Sequence, residues 1–419
     1  MREQLDGGTR AMALLRHPAF CRFWCARALT SLSFQMLSVA IGWQMYALTH
    51  SAFALGMVGF CQFLPMFLLT FVVGHVADRY DRRRIAAICQ ALQGVGAGVV
   101  GLASVAGWLT PIGLFMLAGF VGGVRAFESP SLSALLPRLI ERAQLASATA
   151  FSASANQAAQ ILGPAFGGLL YLAGAPTVYA VCCMCFFGAA ICVGGIRTYQ
   201  GSAVAAKPKF TLASLFGGLS FIRREKVILG ALSLDLFAVL FGGATALLPV
   251  YAHDVLHAGP IGLGALRSAP AVGALLGTIW LARSPLRDRP GRTMVIGVGV
   301  FGVATVLFGI SHDFVLSLAA LFVLGLADTI SVVVRTALVQ LRTPDDMLGR
   351  VSAVNSLFIG TSNQLGEFES GVAAAWLGTK AAVISGGIAT LVVAVLWPKL
   401  FPALYRTGSL YDRPKNDAI

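Results

Sequence analysis

Long apolar stretches, each followed by a short polar segment, run through the whole chain. A helix that crosses the hydrocarbon core of a bilayer needs about 20 apolar residues, and twelve stretches reach that length with almost no charge. A membrane β-barrel shows short segments of alternating polarity instead. The pattern therefore predicts an all-α polytopic membrane protein with twelve spans. The spans lie near residues 22–48, 52–74, 85–108, 111–136, 146–172, 176–196, 227–251, 260–282, 293–310, 314–340, 350–377 and 380–402.

The composition supports a membrane protein and argues against a soluble domain. The 419 residues are 57% hydrophobic and only 12% charged, whereas soluble domains carry roughly a quarter charged residues. The eight cysteines lie in or beside apolar stretches at spacings that match no zinc pattern, so we interpret them as small buried side chains. Neither a nucleotide-binding P-loop nor a catalytic constellation is present. We therefore expect no enzyme activity, no cofactor and no metal.

Most basic residues fall in alternate loops. The chain carries 31 Lys and Arg against 18 Asp and Glu, a net charge of +13. Of these cations, 25 lie in the tails, the linker and the loops on one side of the spans, and Lys380 alone lies in the opposite loops. Because cytoplasmic loops are enriched in basic residues, we expect a multi-pass protein of the bacterial plasma (inner) membrane with both termini in the cytoplasm. The excess of basic over acidic residues is then explained without a nucleic acid partner.

A polar stretch over 197–226 separates six spans from six spans. The two halves form an internal repeat, since Gly163 and Gly168 recur 203 residues later as Gly366 and Gly371. Both halves start from the same side, which makes the repeat parallel, and proteins of this kind bind substrate between the halves near the midplane. The predicted domains are an N-terminal six-helix bundle over 1–196, a cytoplasmic linker over 197–226, and a C-terminal six-helix bundle with a cytoplasmic tail over 227–419.

The loop between spans 2 and 3 combines a glycine, an aspartate and a run of arginines. Gly74 permits close helix approach, and Asp78 is an acceptor beside several Arg donors. This segment resembles motif A of the major facilitator superfamily. The resemblance implies that the aspartate docks on the start of span 11 and latches the cytoplasmic side shut; a positive-inside loop without a latch is the alternative. The predicted latch residues are Gly74, Asp78, Arg79, Arg82, Arg83 and Arg350.

Small residues recur around a proline in span 5. Such residues at every fourth position let helices pack backbone to backbone, and Pro164 removes a hydrogen bond and bends the helix. The stretch that contains Gly163, Pro164, Gly167 and Gly168 resembles motif C of the superfamily, with Ala159 in place of the first glycine. Motif C is an antiporter signature, so the resemblance implies export. Ordinary packing with no bearing on direction is the alternative.

Three further stretches, 15–20, 340–355 and 365–371, strengthen this match. Together with the motifs, they resemble the twelve-span drug:proton antiporter branch of the major facilitator superfamily, which includes a bacterial enterobactin exporter. The resemblance implies two six-helix bundles that export a small organic molecule, siderophore-like or drug-like, by alternating access coupled to proton influx. The expected partners are the lipid bilayer, a small-molecule substrate and protons, and the expected state is a monomer. An importer of a small solute and a non-transporting sensor or scaffold are the alternatives.

Polar residues inside the spans are the candidates for the cavity and for coupling. A charge inside the bilayer costs several kcal/mol and suggests a function. The charges predict three pairings: Arg27 with Glu128, Arg335 with Asp328 or Asp235, and Arg267 with Glu367 or Glu369. These pairs are either structural links between helices or carboxylates that exchange protons. The candidates are Arg27, Gln35, Gln62, Arg125, Glu128, Asn156, Gln160, Asp235, Arg267, Asp328, Arg335, Asn363, Glu367 and Glu369.

Overall fold

The computed structural model describes residue 14 and residues 17–196, 212–284 and 289–408, with only the backbone for 70, 71, 74, 75, 77–79, 142, 212–216, 345 and 346. Every regular element in these ranges is helical. The twelve long helices are α1 (Pro18–Thr49), α2 (Ala52–Arg79), α3 (Arg82–Val105), α4 (Pro111–Leu135), α5 (Leu145–Leu170), α6 (Ala175–Gly194), α7 (Lys226–Phe241), α8 (Gly259–Arg283), α9 (Pro290–Ile310), α10 (Phe314–Arg342), α11 (Asp345–Leu377) and α12 (Thr379–Leu400). Each of the twelve predicted spans overlaps one of these helices.

Three of the helices differ from the rest in polarity. Over the described residues, nine helical segments are long and apolar enough to cross a membrane. The other three, α1, α5 and α11, are 32, 26 and 33 residues long, which exceeds the length that a bilayer requires. Polar side chains such as Gln35, Asn156 and Glu367 interrupt their apolar runs. The most polar spans are thus the ones that carry many of the predicted site residues.

The chain divides into two compact units. Unit 1 comprises the described parts of Met1–His50, Cys61–Lys209 and Gly259–Ser268, so the first turns of α8 belong to it. Unit 2 comprises the described parts of Ser51–Phe60, Phe210–Ala258 and Ala269–Ile419, so the first turns of α2 belong to it.

The core of unit 1 forms where α1, α3, α4 and α6 pack together. Phe20 and Phe23 of α1 are fully buried against aliphatic side chains from the ends of α4 and α6. Tyr179 of α6 is also fully buried, and its hydroxyl donates a hydrogen bond of 2.7 Å to Gln44 of α1. Small residues allow the close approach, since a Cβ at Gly101 of α3 would lie 3.0 Å from the Tyr179 side chain.

The core of unit 2 includes α7, α9, α10 and α12. Trp397 of α12 packs in this core, and its indole nitrogen donates a hydrogen bond of 2.8 Å to the carbonyl of Gly230 on α7. Helix α7 ends at Phe241 and is followed by a 3₁₀ turn, a short helix and a π-helical turn over Tyr251–Val255. The span predicted as continuous over 227–251 is therefore broken near Gly243.

A helix lies within the segment predicted as a polar linker. It covers Leu212–Arg224, while residues 197–211 lie outside the described part of the chain. Ile222 is fully buried in a cluster with residues of α7, α10 and α11. Gly218 approaches the backbone of Arg350 so closely that a Cβ there would lie 2.9 Å from the Arg350 carbonyl oxygen. The linker helix thus packs on unit 2 through its apolar face and leaves Arg223 and Arg224 exposed.

Candidate functional site

A polar site lies inside unit 1, where α1, α3 and α4 meet. Glu128 of α4 is only 2% exposed, and the side-chain amide of Gln93 on α3 donates a hydrogen bond of 2.7 Å to its Oε2 atom. Arg125 of α4 and Arg27 of α1 are the two cations that act electrostatically on this carboxylate. We call these four residues the basic cluster. The charge of Arg27 acts on Glu128, whereas the hydrogen bond to the carboxylate comes from a neutral amide, so the direct pairing of Arg27 with Glu128 stays a prediction.

An aromatic ring holds Arg125 in place. The guanidinium carbon of Arg125 lies 3.5 Å from the ring centroid of Phe34 on α1, which is a cation–π geometry. Within the described residues, the Nε atom of Arg27 and the Oε1 atom of Glu128 are buried without a hydrogen-bond partner. The basic cluster contains two cations and one anion, so it carries an excess positive charge that its own members do not neutralise.

The motif C-like glycines bring α5 close to α1. A Cβ at Gly163 would overlap the side chain of Gln35, and one at Gly167 would lie 3.1 Å from the Cα atom of Met36. A polar link lies on the same seam, since the Ser31 hydroxyl donates a hydrogen bond of 3.0 Å to Oδ1 of Asn156. These glycines therefore act as a tight packing surface between two of the most polar helices.

The same part of α5 contacts the first turns of α8 within unit 1. A Cβ at Gly168 would overlap the carbonyl of Pro260, and the Ser268 hydroxyl donates a hydrogen bond of 2.6 Å to the carbonyl of Ile161. Arg267 donates a hydrogen bond of 2.6 Å to the Ser38 hydroxyl on α1. The predicted pairing of Arg267 with Glu367 or Glu369 stays a prediction.

A second polar site lies inside unit 2, between α7 and α10. Arg335 donates directly to the carboxylate of Asp235, and the two side chains are 4% and 6% exposed. Of the two partners predicted for Arg335, the structure selects Asp235. Asp328, two turns before Arg335 on α10, lines a small cavity together with Asp235 and Ser331. We call Asp235, Asp328 and Arg335 the acidic cluster, because it contains two carboxylates and one cation.

The two glutamates of α11 lie close to a glycine seam in unit 2. A Cβ at Gly59 of α2 would lie 2.9 Å from the Oε2 atom of Glu367, and one at Gly56 would lie 2.8 Å from the Cα atom of Gly371. Glu369 is half-buried beside Ser370. The seam brings the start of α2 against α11 and places the Glu367 carboxyl group beside α2.

The remaining cavity candidates occupy more accessible positions. Gln62 of α2 and Gln160 of α5 are half-buried, and Asn363 of α11 is exposed. The backbone of Gln62 lies against α4, because a Cβ at Gly122 would overlap its carbonyl oxygen.

The predicted motif A latch falls partly outside the described side chains. Gly74, Asp78 and Arg79 lie at the end of α2, where only their backbone is described, so the docking on span 11 stays a prediction. Arg83 donates to the carbonyl of Ile196, and its Nε atom lies 3.7 Å from Oδ2 of Asp81. Arg350 packs beside the linker helix. The described part of this loop therefore connects α3 to the end of α6.

Sequence reasoning missed three polar contributions on α3. Asp81 caps its N-terminus by accepting a hydrogen bond of 3.0 Å from the backbone N–H of Arg83, a role that its position before a helix start indicates. Gln93 reaches Glu128, and Gln90 donates a hydrogen bond of 3.0 Å to Thr30. The sequence feature that could have identified both glutamines is their spacing of one helical turn inside an apolar span. Within the described ranges, no group of His, Cys, Asp and Glu side chains is arranged to hold a metal ion.

Two comparisons of the sequence with known proteins match nearly the whole chain. Residues 9–407 match the family model described as transmembrane secretion effector. The enterobactin exporter EntS of Escherichia coli O1:K1 / APEC is 25% identical over 391 residues, which is 92% of this chain and 92% of that exporter.

Solved transporter structures show the same fold. A bacterial homolog to the human lysosomal transporter Spinster is 14% identical with a TM-score of 0.75, over 92% of this chain and 97% of that one. A bacterial homologue of the iron transporter ferroportin is 17% identical with a TM-score of 0.68, over 92% and 99% of the two chains. The predicted all-α major facilitator fold is confirmed. The chain is a membrane transporter of the major facilitator type and belongs to the transmembrane secretion effector family.

Proposed function

We propose that this protein exports a small organic molecule, siderophore-like or drug-like, from the cytoplasm by alternating access, in exchange for protons. The observation that carries this proposal is the 25% identity to an enterobactin exporter over 92% of both chains. The resemblance of the α5 stretch to an antiporter motif supports the same direction of transport.

The acidic cluster supplies the chemistry for proton exchange. Arg335 neutralises Asp235 through their direct contact, which leaves Asp328 as a second carboxyl group beside the same cavity. When Asp328 is ionised, the cluster carries one net negative charge, and when it is protonated, the cluster is neutral. A charge inside the bilayer is costly, so proton binding at Asp328 changes the stability of any state in which water does not reach it. Each proton that crosses the membrane gains about 2.3 kcal/mol per 100 mV.

Transport into everted vesicles tests both the direction and the coupling. Vesicles are prepared from cells that lack endogenous siderophore exporters and express the full chain, and enterobactin uptake into the lumen is measured during respiration. We expect uptake that a protonophore abolishes. Uptake only into right-side-out vesicles would support the importer alternative, and uptake that depends on ATP but not on the proton gradient would contradict the proposed coupling.

A pair of matched substitutions on α10 tests the role of Asp328. We expect Asp328→Asn to reduce proton-driven uptake at least about tenfold, because the amide binds no proton in exchange. Asp313→Asn is the control: Asp313 caps the same helix through a hydrogen bond of 2.8 Å to the N–H of Leu316, and asparagine is an equally good capping residue. Full proton-driven uptake by Asp328→Asn would exclude Asp328 as the coupling group.

A further inference from the structure

The basic cluster carries a charge that no described group in unit 1 balances. Among the residues that the structure describes, Glu128 is the carboxylate that acts on Arg27 and Arg125, and the amides of α3 lie beside it. Since arginine does not release its proton in proteins, the excess positive charge is permanent. An unbalanced charge within a membrane span is costly, which indicates that another negative group contributes to this site during function.

The cations of the cluster are less buried than the anion. Glu128 is 2% exposed, whereas Arg27 and Arg125 are both half-buried. The Nε atom of Arg27 is buried without a hydrogen-bond partner. The guanidinium of Arg125 is fixed in orientation by the Phe34 ring at 3.5 Å. The cluster thus holds one guanidinium group against an aromatic ring and a second one with an unsatisfied buried donor.

We infer that Arg27 and Arg125 bind an anionic group of the transported molecule, a carboxylate or a comparable oxyanion. A guanidinium offers parallel N–H donors that match the two oxygens of a carboxylate, and the ligand charge makes the occupied cluster neutral. Glu128 is a partial internal counter-charge to the two arginines, and Gln93 donates a hydrogen bond to its carboxylate. This assignment rests on the proposed export function and adds the charge class of the substrate to it.

Binding of a matched acid and ester measures the preference for charge. The full chain is purified in lipid nanodiscs, and the equilibrium dissociation constants of 2,3-dihydroxybenzoate and its uncharged methyl ester are determined. We expect the acid to bind at least about tenfold more tightly than the ester. Arg27→Gln and Arg125→Gln should each reduce this ratio to about twofold while the ester affinity stays within about twofold.

Two further variants separate recognition from folding. Arg22→Gln is the control, since Arg22 lies on the same helix, is exposed and donates to the carbonyl of Gly195; it should keep the full ratio. Glu128→Gln keeps an acceptor for Gln93 and removes the internal counter-charge, so it should tighten acid binding several-fold and leave ester binding unchanged. Tighter binding in this variant is an effect that misfolding does not produce.

Several results would overturn anion recognition: a wild-type chain that does not bind the acid, equal affinities for acid and ester, or a preference that survives both arginine variants. Enterobactin export by a chain with no preference for the acid would refute anion recognition alone. A preference for the acid in a chain that moves nothing across the vesicle membrane would refute export alone.

Discussion

The two units place opposite charges at their buried polar sites. The basic cluster of unit 1 has two cations around one carboxylate, and its hydrogen bond to Glu128 comes from the neutral Gln93. The acidic cluster of unit 2 has two carboxylates around one cation, and its main contact is a direct ion pair of Arg335 with Asp235. The polar site of unit 1 thus has an excess of positive charge and that of unit 2 an excess of negative charge, and this difference is the basis of the anion and proton roles proposed above.

The largest expected effect comes from breaking the ion pair of unit 2. Arg335→Leu leaves Asp235 buried without its cation, and loss of one partner of a buried pair costs about 3–5 kcal/mol. The free energy of unfolding in mixed micelles should fall by that amount. The double variant Arg335→Leu with Asp235→Leu should recover most of the loss, because Asp235 is no longer a buried charge without its partner. A double variant as unstable as the single one would contradict the pairing.

An intermediate effect is expected in unit 1, where the central contact is a hydrogen bond to a carboxylate. Gln93→Leu removes the donor of the 2.7 Å bond to Glu128, and hydrogen bonds to charged groups contribute about 1.5–3 kcal/mol. The same unfolding measurement should show a loss in this range, smaller than that for Arg335→Leu. Gln93→Met keeps most of the side-chain volume but also lacks the donor, so it should lose a similar amount. Full stability in Gln93→Met would show that Gln93 serves only to fill space.

The smallest effect concerns a feature that the two units share. Gly163 brings α5 against Gln35 of α1, and its repeat counterpart Gly366 brings α11 against the backbone of Val239 on α7. An added methyl group forces the helices apart, and overpacking costs about 1–3 kcal/mol. Gly163→Ala and Gly366→Ala should therefore lower the unfolding free energy by similar amounts. Gly299→Ala of α9 is the control, since nothing lies within 4 Å of its Cβ position; a loss there equal to the other two would remove the packing explanation.

The helices were predictable because the apolar run that identifies each span lies within the sequence of that span. Apolar runs of sufficient length identified all twelve, including α1, α5 and α11, whose polar side chains put them outside the nine apolar segments. The recurrence of Gly163 as Gly366 was also visible, and the structure gives it a physical reason: both glycines sit where one helix backbone approaches another. Such a close approach is possible only for small residues. The need for glycine can therefore be read at the position itself, without knowledge of the partner helix.

The partners inside the sites were less predictable, because they depend on how separate helices are rotated. Asp235 and Asp328 were equal candidates for Arg335 by depth, and only the packing of α7 on α10 selects Asp235. Gln93 was missed since a neutral amide in an apolar span gives little signal until its neighbour is known. The break after Phe241 in α7 was missed for a similar reason: the 3₁₀ and π turns that follow it retain an apolar sequence.

The polarity of α1 has a consequence for how the protein is made. Helix α1 precedes the other eleven long helices along the described chain, yet it is one of the three that are more polar than the nine apolar segments. Arg27 opposes insertion of α1 into lipid alone, since an arginine in a span costs up to about 2.5–3.5 kcal/mol, the value at a helix centre. We therefore expect α1 to insert stably only after α4 has been synthesised and Glu128 can lie near Arg27. Insertion of α1 and assembly of the basic cluster would then be completed in the same step of biogenesis.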